Sequence, residues 1–194
     1  MRQRRFQWWH GVLFYAGVQA AQWGLRAAAR RLSQQRDRAW RQQDRDPYRV
    51  ERVPVFAPPA AAFPIVWGVN SVAAIAGGLY VLNLSRWKTG RKEFLCLQAG
   101  AWILIALFDT AYFGLRSPIN AAAVTFAYTG VTAASINAAL WRLKAPKAAL
   151  ALAPTLAWLA IANPVAVAQA AWNHDPFWGV GPFCEPPDGW EKER

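Results

Sequence analysis

Charge is missing from most of this chain in long, uninterrupted blocks, and that limits what it can fold into. No charged residue occurs in Phe6–Leu25, Val53–Ser85, Ser117–Trp141 or Ala148–Asn173, runs of 20, 33, 25 and 26 residues. A fifth run, Phe94–Leu115, holds Asp109 alone. A helix of about 20 apolar residues crosses the hydrocarbon core of a bilayer, so every run is long enough. Helices of water-soluble proteins must turn some face to solvent and rarely stay uncharged for so long. The mean hydropathy of +0.05 hides this pattern, because the charges are gathered between the runs. The expected fold is all-α, a five-helix transmembrane bundle in a multi-pass integral membrane protein.

Tryptophan supports the same reading. The chain has 12, and Trp8, Trp9, Trp23, Trp67, Trp87, Trp141, Trp172 and Trp178 fall at or near the ends of the runs. An indole has an apolar body and one N–H donor, so it settles where hydrocarbon meets headgroups. Trp158 lies inside a run and needs another explanation.

Turn and breaker residues set the boundaries. The first helix is expected over Trp8–Ala28. The basic Met1–Arg5 segment before it is like the start of a signal peptide, but no clean small-residue cleavage site follows, so the helix reads as retained. Pro54, Pro58 and Pro59 forbid regular helix, which puts the second helix at Phe63–Ser85. Phe94–Leu115, Ile119–Leu143 and Ala148–Asn173 follow. The chain thus divides into an N-terminus with helix one (1–29), an Arg-rich then Pro-rich loop (30–62), helices two to five (63–173) and an irregular tail (174–194). The short link Arg116-Ser117-Pro118 makes helices three and four antiparallel neighbours. Small residues such as Ala74, Gly77 and Gly78 mark faces where backbones approach closely.

The net charge of +11 comes largely from nine arginines between Arg26 and Arg52. That segment is tied at both ends to membrane spans, so a nucleic-acid partner is not expected. It fits a solvated loop facing anionic lipid headgroups, or a surface docked on an acidic partner subunit. Ten basic residues fall on the side of the N-terminus and twelve on the other, so the positive-inside rule gives no orientation. Cys96 and Cys184 have no metal-ligand spacing. His10 and His174, the two histidines, fit interfacial polar residues, with an axial ligand to a tetrapyrrole metal as the alternative. Asp109 is the one charge within a run. Intramembrane charges are usually paired or functional. It either reaches the interface, serves a ligand- or proton-linked role, or contacts another subunit.

Four short patterns in order point to a family. Tyr48 to Pro59, ending in Pro54-Val55-Phe56-Ala57-Pro58-Pro59, is followed by Phe63-Pro64-Ile65-Val66-Trp67. Helix three ends in Tyr112-Phe113-Gly114-Leu115-Arg116-Ser117-Pro118. Helix five carries Pro154-Thr155-Leu156-Ala157-Trp158, with Asn173 fifteen residues after that Trp. Together they resemble the translocator protein family, also called TspO or tryptophan-rich sensory proteins, over about two-thirds of the chain. The resemblance implies a five-helix bundle, often dimeric, that binds porphyrins or sterol- and isoprenoid-like lipids among its helices. It places Trp67 and Trp158 against a tetrapyrrole and lays Phe56, Pro58, Pro59 and Phe63 over the pocket. The chain departs from the family pattern at Phe56, Ser71, Ile105, Phe108-Asp109-Thr110, Thr155 and Ala166, and it lacks the family's cholesterol motif in helix five.

Two functions follow as expectations. One is a tetrapyrrole- or lipid-binding membrane protein with a sensory or regulatory role, using Trp67, Trp158, Phe56, Phe63, Pro58, Pro59 and Asp109. The other is a non-enzymatic accessory subunit of a larger membrane complex, for example a pigment-bearing one, with Trp178, Phe183 and Trp190 of the tail docking on neighbours. Light-driven porphyrin breakdown would rest on Trp67 and Trp158 alone, and the chain is expected not to be an enzyme.

Overall fold

The computed structural model describes residues 5–36 and 51–192. It is a bundle of five helices: α1 (Trp8–Arg36), α2 (Ala62–Leu82), α3 (Arg91–Asp109), α4 (Pro118–Asn137) and α5 (Pro146–Trp172). Single π-helical turns, Thr110–Gly114 and Ala138–Arg142, continue α3 and α4. Around the bundle the order is α1, α3, α4, α5, α2, and α2 returns to touch α1. Most of the Arg-rich loop, residues 37–50, lies outside the described residues.

Among the described residues, Ala62–Leu82, Arg91–Gly114, Pro118–Arg142 and Pro146–Trp172 are long and apolar enough to cross a membrane. The protein is therefore a multi-pass membrane protein. α1 differs in composition. Its run is uncharged but not uniformly apolar, since it holds His10, Gln19 and Gln22. Even so, α1 extends the full height of the bundle. At one end Phe6 exchanges backbone hydrogen bonds with the Asn83 side chain just past α2. At the other, a Cβ on Gly114 would stand 2.8 Å from Ala29 Cβ, so the π turn of α3 and α1 meet only because residue 114 is glycine. Ala27, Ala28 and Ala29 are strong helix formers, and α1 continues eight residues beyond the expected Ala28.

The helix ends show how the polar backbone is satisfied. α2 stops at Leu82, short of the expected Ser85, because Asn83 turns its amide back to Leu79 O. The Arg91 guanidinium donates to the Val81 and Leu82 carbonyls, so the first residue of α3 caps the last turn of α2. Gly90 links them at φ +76, and a Cβ there would meet Leu143 N at 2.7 Å. Glycine is required on both counts.

α3 and α4 end with one device used twice. Leu115 N donates to Thr110 O and Ser117 N to Ala111 O; Leu143 N donates to Ala138 O and Ala145 N to Ala139 O. The residue between, Arg116 or Lys144, is left-handed at φ 51 or 50. This is Schellman-like closure with a basic residue where glycine is usual, at a conformational cost of roughly 1–2 kcal/mol each. Proline then opens the next helix at Pro118 and Pro146. The repeat is legible in the sequence as Leu115-Arg116-Ser117-Pro118 and Leu143-Lys144-Ala145-Pro146.

The tail is irregular, as expected, yet firmly tied down. Asp175 is fully buried. One of its oxygens accepts from Ser117 Oγ at 2.6 Å and Ile119 N at 3.1 Å, and the other from Phe177 N and Trp178 N. A carboxylate thus sits at the N-terminus of α4, where the helix dipole favours it. Asn173 accepts from Arg52 N and donates to Arg52 O and Gln169 O. Farther on, Val55 N donates to Trp190 O and Lys192 N to Val53 O, pairing the tail with the Pro-rich stretch. Arg52 forms ion pairs with Glu185 and Glu191. Its hydrogen bond to Glu185 and the two carboxylate charges hold its guanidinium above its ordinary value.

Removing the Asp175 carboxylate orphans four donors, of which Ser117 is itself fully buried. Asp175→Ala should destabilise the protein by about 2–4 kcal/mol. Thermal unfolding in detergent should show the loss, and limited proteolysis should cut near Phe177, a site the wild type protects.

Candidate functional site: an intramembrane cavity

All five helices wall one cavity of about 680 Å³, within the range of ligand pockets. Helical spacing explains which residues reach it. Trp158, Ala162, Val165, Ala166 and Gln169 form one stripe of α5, at steps of three and four. Tyr15, Gln19 and Gln22 form another on α1, so the glutamines that lower its hydropathy line the cavity. Ile105, Phe108, Asp109 and Tyr112 do the same on α3.

The middle of the cavity is aromatic. Phe63 meets Trp158 edge-on with ring centroids 5.3 Å apart, and Trp67 lies 5.9 Å from Tyr128. Trp158 is buried, and its Nε1 has no hydrogen-bond partner within the protein. Toward loop one the lining turns polar. Gln169 Nε2 donates to Tyr112 Oη at 2.8 Å, and Tyr112 donates to Glu51 Oε2 at 3.3 Å. Asp109 faces the cavity beside this group and is paired with Arg26 of α1 at 3.1 Å. The Arg26 N–H does not point along that line, so Asp109 Oδ2 gains charge pairing without an aligned hydrogen bond. The Arg26 guanidinium also lies 5.5 Å from the Phe113 ring, and Arg30 donates to Phe113 O. Asp109 therefore joins α1 to α3.

Of the residues expected at a site, Trp67, Trp158, Phe63 and Asp109 line the cavity. Phe56, Pro58 and Pro59 do not. Phe56 is drawn outward to the tail, where its ring meets Trp190 edge-on at 6.2 Å, and loop one reaches the cavity with Ala60 and Ala61 instead. The α1 glutamines, Tyr112 and Gln169 were not expected there. The α5 stripe would have found Gln169, eleven residues beyond Trp158. His10 stacks on Trp9 at the start of α1, and His174 lies in the tail; neither lines the cavity. Cys96 and Cys184 are free and exposed.

These features define a class first: a multi-pass helical membrane protein built around an aromatic internal cavity. The TspO/MBR family model matches residues 22–171, more than three-quarters of the chain. The protein belongs to the TspO/MBR family. A comparison with curated proteins finds no match.

The Arg26–Asp109 pair can be tested as a unit. Asp109→Ala leaves a partly buried guanidinium unpaired and should destabilise by roughly 1–3 kcal/mol, whereas Arg26→Met with Asp109→Leu should recover most of that loss. Thermal midpoints of the wild type, Arg26→Met, Asp109→Leu and the double variant complete the cycle; additive losses would show that the pair contributes nothing as a pair.

Proposed function

We propose that this protein binds a tetrapyrrole or an isoprenoid- or sterol-like lipid inside its helix bundle, in a sensory or regulatory role and without converting the ligand. The observation that carries this reading is the 680 Å³ cavity faced by Phe63, Trp67, Trp102 and Trp158. Indole and phenyl faces stack on a flat macrocycle, and an apolar chamber at membrane depth is open to ligands that partition into lipid. Family membership supports the same ligand classes.

A metal-free macrocycle suits the lining better than a metal-bearing one. No histidine, cysteine or methionine is among the described residues of the wall, so a protein axial ligand from it would have to be a tyrosine, the less common choice. Trp67 and Trp158 would hold the ring by stacking. Arg26 and Arg30 stand at the loop-one end beside Asp109 and Phe113, and would receive acidic side groups there.

One observation favours the second reading, an accessory subunit of a larger membrane complex. Trp178 and Phe183 stay 58% and 67% exposed on a tail that is otherwise tightly tied. Migration after gentle solubilisation separates the two readings: a subunit travels with partners, and a self-sufficient binding protein travels as a monomer or homodimer.

Titration with protoporphyrin should quench tryptophan fluorescence to saturation at micromolar ligand. Trp158→Leu and Trp67→Leu should each weaken binding about tenfold, the loss expected for one stacking partner. Absence of quenching in the folded wild type would remove the tetrapyrrole from the proposal.

A further inference from the structure

The polar groups at the two ends of the cavity differ in one respect. At the loop-one end they engage one another: Tyr112, Gln169 and Glu51 form a hydrogen-bonded chain, and Asp109, whose Oδ2 accepts no aligned hydrogen bond, has the opposite charge of Arg26. At the opposite end they do not. A small annex of about 10 Å³, lined by Asn70, Ser71 and Gln98, opens beside the main cavity and shares Trp67, Ser71, Trp102, Ile105 and Tyr128 with it. Asn70 is 3% exposed, and its Nδ2 has no partner within the protein. The Trp158 Nε1 and Thr155 Oγ1 atoms are likewise buried and unpartnered. The helix contacts put these groups at similar depth. Phe63 of α2 faces Trp158 of α5, and Gly77 faces Ala148 and Ala151, so Asn70, midway between 63 and 77, lies level with the turn before Trp158.

Resting on the cavity-binding reading above, we propose that Asn70, at the annex, forms a subsite for one uncharged oxygen of the ligand. The ligand class is an apolar lipid bearing a terminal hydroxyl or carbonyl, bound with that oxygen at the annex and its hydrocarbon along the aromatic wall of Phe63, Trp67, Trp102 and Trp158. Three arguments support this assignment. An unmade hydrogen bond is expensive in a buried, low-dielectric site, so an acceptor placed there is strongly preferred over hydrocarbon. The annex has room for about one oxygen-sized group. No cation lines the cavity or the annex among the described residues, so a carboxylate there would be buried without a counter-charge.

The test compares farnesol with farnesene, its hydrocarbon counterpart, by tryptophan fluorescence of the full-length protein in detergent. The wild type should bind farnesol about fivefold more tightly, the yield of one hydrogen bond. Asn70→Leu should abolish that preference while leaving farnesene affinity within about twofold. Should Asn70→Leu fail to fold, farnesal bound to the wild type decides, since its C=O stretch should move to lower wavenumber than in hydrocarbon solvent. Equal affinity of the wild type for both probes, failure of both to bind, an intact preference in Asn70→Leu, or an unshifted stretch each overturns the subsite. If protoporphyrin quenching persists in that same preparation, the cavity-binding reading stands and the subsite alone falls.

Discussion

Hydrocarbon offers a peptide group no hydrogen bond, and the architecture follows from that deficit. Inside each helix the backbone satisfies itself. The ends do not, and this chain repairs each in its own way. Arg91 reaches back over α2, the Arg116 and Lys144 turns close α3 and α4, and Asp175 comes from far along the chain to the start of α4. Those repairs keep the connections short and hold four helices as neighbours. Close contacts at Gly77 and Gly114 then pack α2 on α5 and α1 on the end of α3. A ring so constructed has a hollow centre, and polar side chains that lipid would not tolerate are turned into it.

Much of this could be read before the structure. Uninterrupted charge-free blocks gave the number of helices, and the prolines gave most of their starts. Boundaries moved where a side chain acts on a distant backbone: Asn83 shortened α2, and Arg91 started α3 early. Neither contact leaves a periodic trace. The turn repeat did leave one, in two matching tetrapeptides. Trp67, Trp158, Phe63 and Asp109 were legible from the motifs and from the oddity of a buried charge. Phe56, Pro58 and Pro59 do not line the cavity; a fold-back of the tail, which no local pattern encodes, sets Phe56 against Trp190 instead.

The tryptophans divide along the same line. Trp8, Trp87 and Trp141 are 75%, 81% and 72% exposed, and they mark the end of the bundle that holds the N-terminus. Trp178 and Trp190 are exposed at the other end. Trp67, Trp102 and Trp158 turn inward to the cavity, and Trp172 is buried at the close of α5. One residue type thus serves as interface marker, chamber wall and packing element; Trp67 and Trp172, which their places near run ends assign to the interface, turn inward instead.

Residues 174–192 lie beyond the stretch that matches the family, yet they fasten the proline-rich segment that covers the loop-one end. The pairing of Val53 and Val55 with Lys192 and Trp190 joins segments about 140 positions apart, so it encloses helices α2 to α5 in one loop of chain. Parting this clasp would loosen the proline-rich segment without breaking a helix–helix contact, a local rather than a global unfolding step.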